Sequence, residues 1–177
     1  MTHIAIALLR GVNVGGKNAL PMAGFRDLLS GLGLREVVSY IQSGNAVFAC
    51  DDLAGLDARI SDAINARFGF RPWVCVLPAK ALAQAVAANP FEVPADQQNL
   101  LHLFFTAPGT DIDLQALRPL ALPEDGLSRV GDVIYLHTPG GFGRSKLAEK
   151  LGRVLDRPGY TARNLRTCLR LLDLAQN

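Results

Sequence analysis

The sequence predicts an α+β fold built from two ferredoxin-like, or α/β-plait, subdomains, each approximately β-α-β-β-α-β with an antiparallel sheet. Over the first half of the chain, apolar strand-like segments and segments of helical periodicity follow one another in that order. The second half repeats the order less clearly. The chain has 177 residues, 49% hydrophobic and 19% charged, which is typical of a globular protein long enough for two small domains.

The first half contains four predicted strands and two predicted helices. The apolar run at 3–10 is typical of a strand that is buried on both faces. Residues rich in β-branched and aromatic side chains predict strands at 36–42, 46–50 and 73–77. Apolar residues at helical spacing, closed by Gly33 and Gly69, predict helices at 21–33 and 53–69. The sequence Ser43-Gly44-Asn45 indicates a hairpin turn.

The second half contains a less regular series of elements. Strands are predicted at 100–106, 127–130 and 133–137, and helices at 80–88, 111–117, 144–151 and 164–174. Thr110 and Thr161 are candidate N-caps for the second and the last of these helices. We therefore expect an N-terminal subdomain over 1–78 and a C-terminal subdomain with a terminal helix over 79–177.

Bulk charge does not point to a partner, because the formal net charge is only +2. The segment from Arg144 to Arg170 is locally basic, however, with Glu149 and Asp156 as its acidic residues. Such an excess can attract an anion or can belong to a solvated helix face, and the sequence leaves both interpretations open.

Cysteine usage and hydropathy favour a cytoplasmic protein. Cys50, Cys75 and Cys168 are odd in number and lack metal-ligand spacing, which predicts reduced, buried thiols and no metal or cofactor. The apolar start of the chain resembles a core strand more than a signal peptide, and no apolar run reaches the length of a membrane helix. We expect no membrane partner, and the oligomeric state is left open.

A glycine-rich basic loop is the first candidate for a binding site. It follows a predicted strand, precedes a predicted helix, and contributes Arg10, Asn13, Gly15, Gly16, Lys17 and Asn18. Glycines allow backbone N–H groups to approach an anion, and a helix N-terminus favours negative charge. The loop matches neither a Walker motif nor a dinucleotide fingerprint. A turn that requires positive φ at the two glycines is the alternative interpretation.

Topology adds a neighbour to this loop. In a split β-α-β unit the first two strands are parallel, so their C-terminal ends lie at one edge of the sheet. We therefore expect Gln42, Ser43 and Asn45 to lie beside the Arg10 loop and to join it around one ligand. A tight hairpin alone would also explain Gly44 and Asn45.

Two further clusters lie at predicted helix starts. Arg144, Ser145 and Lys146 follow a second glycine-rich stretch, and two cations at a helix N-terminus oppose the macrodipole unless an anion lies nearby. Arg163 and Asn164 begin the last predicted helix, where plain capping with exposed arginines is the alternative. The histidines His3, His102 and His137 lie in predicted strands, and no catalytic motif is present.

Several motifs together resemble a bacterial family catalogued as domain of unknown function 1697. They are ALLRGVNVGGKNALPM at 7–22, SYIQSGNAVF at 39–48, ANPF at 88–91, GRSKL around Arg144 and TARNLRT at 161–167. The resemblance implies two fused α/β-plait subdomains and carries no established activity. Our leading hypothesis is a binding module for a phosphate-bearing ligand, either a nucleotide or a nucleic acid. The alternatives are an enzyme for a small anionic substrate in a cleft between the subdomains, using Lys17 or Lys146, and a protein-interaction module.

Overall fold

The computed structural model describes residues 2–176, and within them it confirms the α+β fold class. The strands are β1 (His3–Leu9), β2 (Arg35–Tyr40), β3 (Asn45–Cys50), β4 (Val74–Pro78), β5 (Leu101–Thr106), β6 (Gly126–Val130), β7 (Val133–His137) and β8 (Tyr160–Asn164). The α-helices are α1 (Met22–Gly31), α2 (Leu56–Phe68), α3 (Ala79–Ala87), α4 (Lys146–Leu155) and α5 (Leu165–Leu174). Among these residues, no helix is long and apolar enough to cross a membrane.

The chain divides into two compact units. The first runs to Gln84 and includes the segment from Arg170 onward, and the second is Ala85–Leu169. The bounds of the sequence-based subdomains, 1–78 and 79–177, stay a prediction.

The sheet of the first unit has the strand order β2-β3-β1-β4, with every neighbouring pair antiparallel. This is the order expected of a ferredoxin-like unit. Because β1 and β2 are both antiparallel to β3, they run parallel to each other, and their C-terminal ends lie at one edge of the sheet. The strand β1 is buried from Ala5 to Leu9, as its continuous apolar run predicts.

The core of the first unit lies between this sheet and the helices α1 and α2. Helical spacing in α1 buries Phe25 and Leu29, and the same spacing in α2 buries Ile60 and Ile64. These side chains belong to one hydrophobic cluster with residues of β1 and β3. The helix α2 ends at Gly69, which has the left-handed conformation that its position predicts.

The second unit repeats the plan, with strand order β6-β7-β5-β8 and antiparallel neighbours throughout. The hairpin of β6 and β7 turns at Gly131 and Asp132, as predicted. The apolar face of α4 packs against this sheet through Leu147, Leu151 and Leu155.

Two predictions for residues 110–117 are wrong, namely the helix at 111–117 and Thr110 as its N-cap. Instead of a helix at 111–117, the chain forms a 3-10 turn at Gln115–Leu120, which contains Pro119. Proline has no N–H to donate and clashes with the preceding turn of an α-helix, so the segment does not continue as one. Thr110 does not cap it, because its hydroxyl donates to the main-chain oxygen of Ala107 at 2.6 Å, while Asp113 Oδ1 accepts from the N–H of Gln115 at 2.9 Å.

The strand β8 was not predicted, and Thr161 is not an N-cap. Thr161 is buried inside β8, opposite Phe105 of β5. The cap of α5 is Asn164, whose Oδ1 accepts from the N–H of Thr167 at 2.9 Å. The strand β8 has the sequence YTARN. Its polar residues interrupt the apolar alternation on which a strand prediction depends, so the sequence does not predict a strand here.

Candidate functional site

The glycine-rich loop folds into a short hairpin that projects from the end of β1. The N–H of Asn13 donates to Asn18 O at 3.1 Å, and the N–H of Lys17 donates to Val14 O at 3.0 Å. Gly15 and Gly16 occupy the turn with φ of 57° and 73°, and two consecutive left-handed residues are the signature of a type I′ turn. The two glycines are therefore required by the turn.

Two asparagine side chains fix the shape of this hairpin. Asn13 and Asn18 both have left-handed φ angles, of 54° and 53°. Asn18 Nδ2 donates to Gly11 O at 2.9 Å, while Asn13 Nδ2 donates to Leu20 O at 2.9 Å and its Oδ1 accepts from the N–H of Leu20 at 2.7 Å. The loop is consequently preorganised by internal hydrogen bonds, which lowers the ordering entropy that binding must overcome.

The turn between β2 and β3 lies beside this hairpin, as the topology predicts. Asn13 Nδ2 also donates to Gln42 O at 2.8 Å, and the N–H of Leu9 donates to Gly44 O at 2.9 Å. A Cβ atom on Gly44 would lie 2.7 Å from Leu9 Cβ and 2.8 Å from Val12 Cγ2. The two segments therefore pack so closely that there is no space for a side chain at position 44. Together they form a surface that we call the edge site (residues 10–18 and 41–45).

The predicted residues of the edge site have different environments. Lys17, Asn18 and Gln42 are exposed, Arg10 and Ser43 are half-buried, and Asn45 is fully buried. The Asn45 amide donates to Tyr40 O at 3.0 Å and to Ser43 Oγ at 2.9 Å, so it supports the turn from inside. The predicted side chains available at the surface are thus cationic or neutral polar groups. Val14, 65% exposed, and Ile41, 50% exposed, add two apolar side chains to the same surface.

The helix α1 begins next to the edge site. Its N-cap is Pro21, which makes no side-chain capping bond, and its first turn contains no acidic residue. The N-terminal N–H groups of a helix carry partial positive charge and attract anions. Segments 10–18 and 41–45 also contain no Asp or Glu, so the charged side chains of the edge site, Arg10 and Lys17, are both cationic.

A cleft of about 360 Å³ lies beside the start of β4. The N–H of Arg10 donates to Trp73 O at 2.9 Å, and the cleft is lined by Trp73 and by residues of α2 and of the segment before β4, namely Asp57, Ala58, Ser61, Arg71, Pro72 and Val74. Ser61 Oγ donates to Pro72 O at 2.7 Å, and Arg71 forms an ion pair with Asp62. The cleft therefore offers an aromatic surface with hydrogen-bonding groups around it.

In the second unit, the glycine-basic stretch supports the start of α4. Ser145 is the N-cap, and its hydroxyl accepts from the N–H of Ala148 at 3.1 Å. Arg144 lies in a 3-10 turn before the helix, with Nη2 donating to Gly140 O at 3.0 Å, and Lys146 is the first helical residue. The prediction that the helix begins at Arg144 is wrong by two residues, because the Ser145 side chain closes the first turn.

Arg163 and Asn164 lie at the end of β8 and not inside a helix. Arg163 is 8% exposed, and its Nη1 donates to Thr161 Oγ1 and to Ala162 O, both at 2.8 Å. Asn164 caps α5. Both side chains therefore have structural bonds in the second unit.

The histidines lie in strands, as predicted. His102 in β5 stacks on Phe142 at a centroid distance of 3.9 Å, and burial lowers its pKa to about 4. His137 in β7 has a buried Nε2 without a hydrogen-bond partner. Within residues 2–176, no three His, Cys, Asp or Glu side chains lie close enough together to hold a metal ion.

Comparisons with other proteins point to one family and one fold. The sequence profile of the family described as "Protein of unknown function (DUF1697)" matches residues 1–135. A conserved bacterial protein from Streptococcus pneumoniae is similar in structure over 99% of both chains, with 23% sequence identity and a TM-score of 0.72. An unknown protein from Galdieria sulphuraria aligns over 92% of this chain and 97% of its own, but at 13% identity and a TM-score of 0.27 it supports no argument. No curated protein matches the chain.

Proposed function

This chain belongs to the DUF1697 family of proteins of unknown function, as its motifs predict, and we propose that it binds a phosphate-bearing small molecule, a nucleotide, at the edge site. One observation carries the proposal: Asn13 joins the glycine hairpin to the turn at Gln42, which brings two segments without acidic residues to one place. The exposed ammonium group of Lys17 projects from a hairpin that internal hydrogen bonds already hold in shape.

The charge at the edge site favours an anion. Lys17 and Arg10 are its ionised side chains, and the uncapped N-terminus of α1 adds partial positive charge. A phosphate group would accept hydrogen bonds from such donors, and a charge-assisted hydrogen bond is about twice as strong as a neutral one. A carboxylate ligand would satisfy fewer of these donors because it has fewer oxygens.

The cleft at Trp73 favours a nucleotide over other phosphate esters. Its lining includes Trp73, whose main-chain oxygen accepts from the N–H of Arg10, and this bond places one wall of the cleft next to the first residue of the edge site. A base can stack on an indole ring, and stacking is sequence-tolerant because every base has a π-face. Asp57 at the cleft wall would accept from an exocyclic amino group. The odd number of cysteines supports placing this function in a reducing compartment, the cytoplasm.

The test is to titrate the full chain with nucleoside mono-, di- and triphosphates at low salt and to measure binding by calorimetry. Lys17→Ala should weaken binding about tenfold, since a hydrogen bond to a charged group contributes roughly 1.5–3 kcal/mol when desolvated and less at a surface. Lys80→Ala removes an equally exposed lysine outside the edge site and should change affinity less than twofold. Absence of binding to every nucleotide, or equal losses in both variants, would overturn the proposal.

The stacking part of the proposal has its own variants. Trp73→Leu should weaken nucleotide binding while leaving the affinity for inorganic pyrophosphate unchanged, because pyrophosphate has no base. Trp73→Phe, which keeps an aromatic ring, should retain most of the affinity. Turnover of the bound nucleotide, measured in the same samples, would assign the site to an enzyme in which Lys17 stabilises developing charge.

A protein-interaction module is the second candidate, and one observation favours it. The edge strand β2 leaves Val38 42% exposed, and Ile41 in the following turn is 50% exposed. An unpaired strand edge with exposed apolar side chains can add a strand from another chain. Self-association that Val38→Lys abolishes, measured by light scattering, would support this candidate; a monomer at all concentrations would count against self-pairing.

A further inference from the structure

The outer face of α4 carries a row of four cations, of which the predicted site included Lys146 alone. The helix turns about 100° per residue, so Lys146, Lys150, Arg153 and Arg157 fall within an arc of about 60°. All four side chains are exposed. The C-cap, Asp156, retains right-handed helical angles, which keeps Arg157 close to the helical path.

The row lies opposite the buried face of the helix. Leu147, Leu151 and Leu155 pack into the hydrophobic core of the second unit, which fixes the rotation of α4 and therefore the direction of the cations. The cations therefore have this orientation even when no ligand is bound. We call this surface the basic row (residues 146, 150, 153 and 157).

Most of the basic row is not neutralised within the chain. Arg153 forms an ion pair with Glu149, one turn earlier. Within the part of the chain that the structure describes, Lys146, Lys150 and Arg157 form no ion pair. Lys146 also lies at the N-terminus of α4, where a cation opposes the helix macrodipole. A row of like charges in this arrangement lowers the stability of the free helix and is relieved by an anionic partner.

We propose that the basic row binds the phosphate backbone of double-stranded nucleic acid. The row is about 16 Å long, with one cation in each helical turn of about 5.4 Å. A duplex presents closely spaced phosphates along its two helical backbones, about one charge per 1.7 Å of axis when both strands are counted. A rigid line of cations can therefore contact several phosphates at once. These contacts position a protein on the duplex and carry no direct information on base sequence.

The composition of this face favours a duplex over a single strand and over a membrane surface. The exposed positions of α4 include no aromatic side chain, whereas surfaces that bind single strands combine cations with aromatic rings for base stacking. A membrane-binding helix inserts a broad apolar face, but that face of α4 is buried, and its exposed large apolar residue is Val154 at 40%. An acidic protein remains as an outcome of the test.

The experiment measures binding of the full chain to a labelled duplex of about 20 base pairs by fluorescence anisotropy, between 0.05 and 0.4 M salt. Each phosphate contact contributes about 0.9 to the slope of log K against log salt. The triple variant Lys146→Gln, Lys150→Gln, Arg157→Gln should therefore reduce the slope by about 2.7 and weaken binding at 0.1 M salt by about a hundredfold. Each substitution keeps a long side chain with good helix propensity.

A charge-matched control separates this site from bulk charge. Arg59→Gln, Arg67→Gln and Lys80→Gln together remove three exposed cations from the first unit, and this variant should lose less than threefold. Equal losses in both triple variants, no duplex binding by the wild type, or equal affinity and slope for a single strand would each overturn the inference. So would capture of an acidic polypeptide with an affinity above that for the duplex.

The two proposals can fail separately because they use different residues and different probes. Nucleotide titration of the α4 variant should match the wild type, and duplex binding by Lys17→Ala should lie within threefold of the wild type. If Lys17→Ala loses duplex binding and the α4 variant does not, the duplex binds at the edge site and not at the basic row. Circular dichroism of each variant confirms that the helix content is unchanged.

Discussion

Asn13 and Gln42, which lie in different loops, are joined by a hydrogen bond of 2.8 Å from Asn13 Nδ2 to the main-chain oxygen of Gln42. The same amide also pairs with both main-chain groups of Leu20. One side chain thereby fixes the base of the glycine hairpin, the entrance to α1 and the turn after β2. The shape of the edge site therefore depends on this side chain as well as on its glycines.

Asn13→Gly should lower the free energy of unfolding by about 1–3 kcal/mol. Glycine tolerates the left-handed φ of 54°, so the variant removes the hydrogen bonds without introducing backbone strain. Each hydrogen bond contributes about 0.5–1.5 kcal/mol, and the Asn13 bonds that are exposed to water contribute at the low end of this range. Urea unfolding of the variant and of Lys17→Ala, which should stay within about 0.5 kcal/mol of the wild type, provides the comparison. A variant as stable as the wild type would show that the loop does not depend on Asn13.

Gly44→Ala should destabilise the chain more than Gly15→Ala does. Both glycines have positive φ, so both substitutions introduce backbone strain of about 1 kcal/mol. Only at Gly44 does the added Cβ also collide with packed atoms, because Leu9 Cβ and Val12 Cγ2 lie within 3 Å of it, whereas the Cβ at Gly15 meets nothing within 4 Å. Overpacking costs a further 1–3 kcal/mol. Thermal unfolding of the two variants should show the larger shift for Gly44→Ala, and equal shifts would contradict the close approach.

The fold was predictable because its strongest signals are local. The apolar run of β1, the helical spacing in α1 and α2, and the glycine that ends α2 each identify an element without knowledge of its neighbours. The wrong predictions of secondary structure arose where tertiary contacts, and not the local sequence pattern, determine the element. In β8 the buried residues include Thr161 and Arg163, which look exposed in sequence and which become buried only because β8 pairs with β5.

The edge site was predictable in outline and not in detail. Strand direction alone placed the turn after β2 beside the glycine loop, and the bond from Asn13 to Gln42 bears out that adjacency. The sequence did not reveal that Asn45 is buried, and a turn at Gly15 and Gly16 was only its alternative interpretation of the loop. The sequence shows the helical spacing of the basic row. Only the structure shows which face of α4 is buried, and therefore that these cations lie together on its exposed face.

Stability should fall as the pH decreases from about 6.5 to about 4 because of His102. Burial lowers its folded-state pKa to about 4, below the unfolded value of about 6.5. Between these values the unfolded chain binds a proton that the folded chain does not, so acidification favours unfolding. The contribution is fully present above pH 6.5, and about 2 kcal/mol of it is lost by pH 5.

His102→Phe is the matched variant for this effect. A phenyl ring keeps the stacking partner of Phe142 and does not titrate. Urea unfolding at pH 7.5 and pH 5.0 should show a smaller loss of stability in the variant than in the wild type, with the difference near 2 kcal/mol. Because all other titrating groups are shared, an identical loss in both proteins would show that His102 titrates normally in the folded state.

The three cysteines should differ in reactivity, with Cys75 reacting first. Burial raises the pKa of Cys168 to about 12 and also raises the pKa of Cys50, and both residues are buried, whereas Cys75 is half-buried. The thiolate is the reactive form, and a thiol with a pKa near 12 is ionised in only about one molecule in 10⁴ at pH 8. A disulfide-exchange reagent at pH 8 should therefore modify one thiol in the native chain and three after unfolding. Cys75→Ser should abolish the native reaction, and a persistent fast phase in that variant would show that Cys50 or Cys168 is accessible through local opening of its strand or helix.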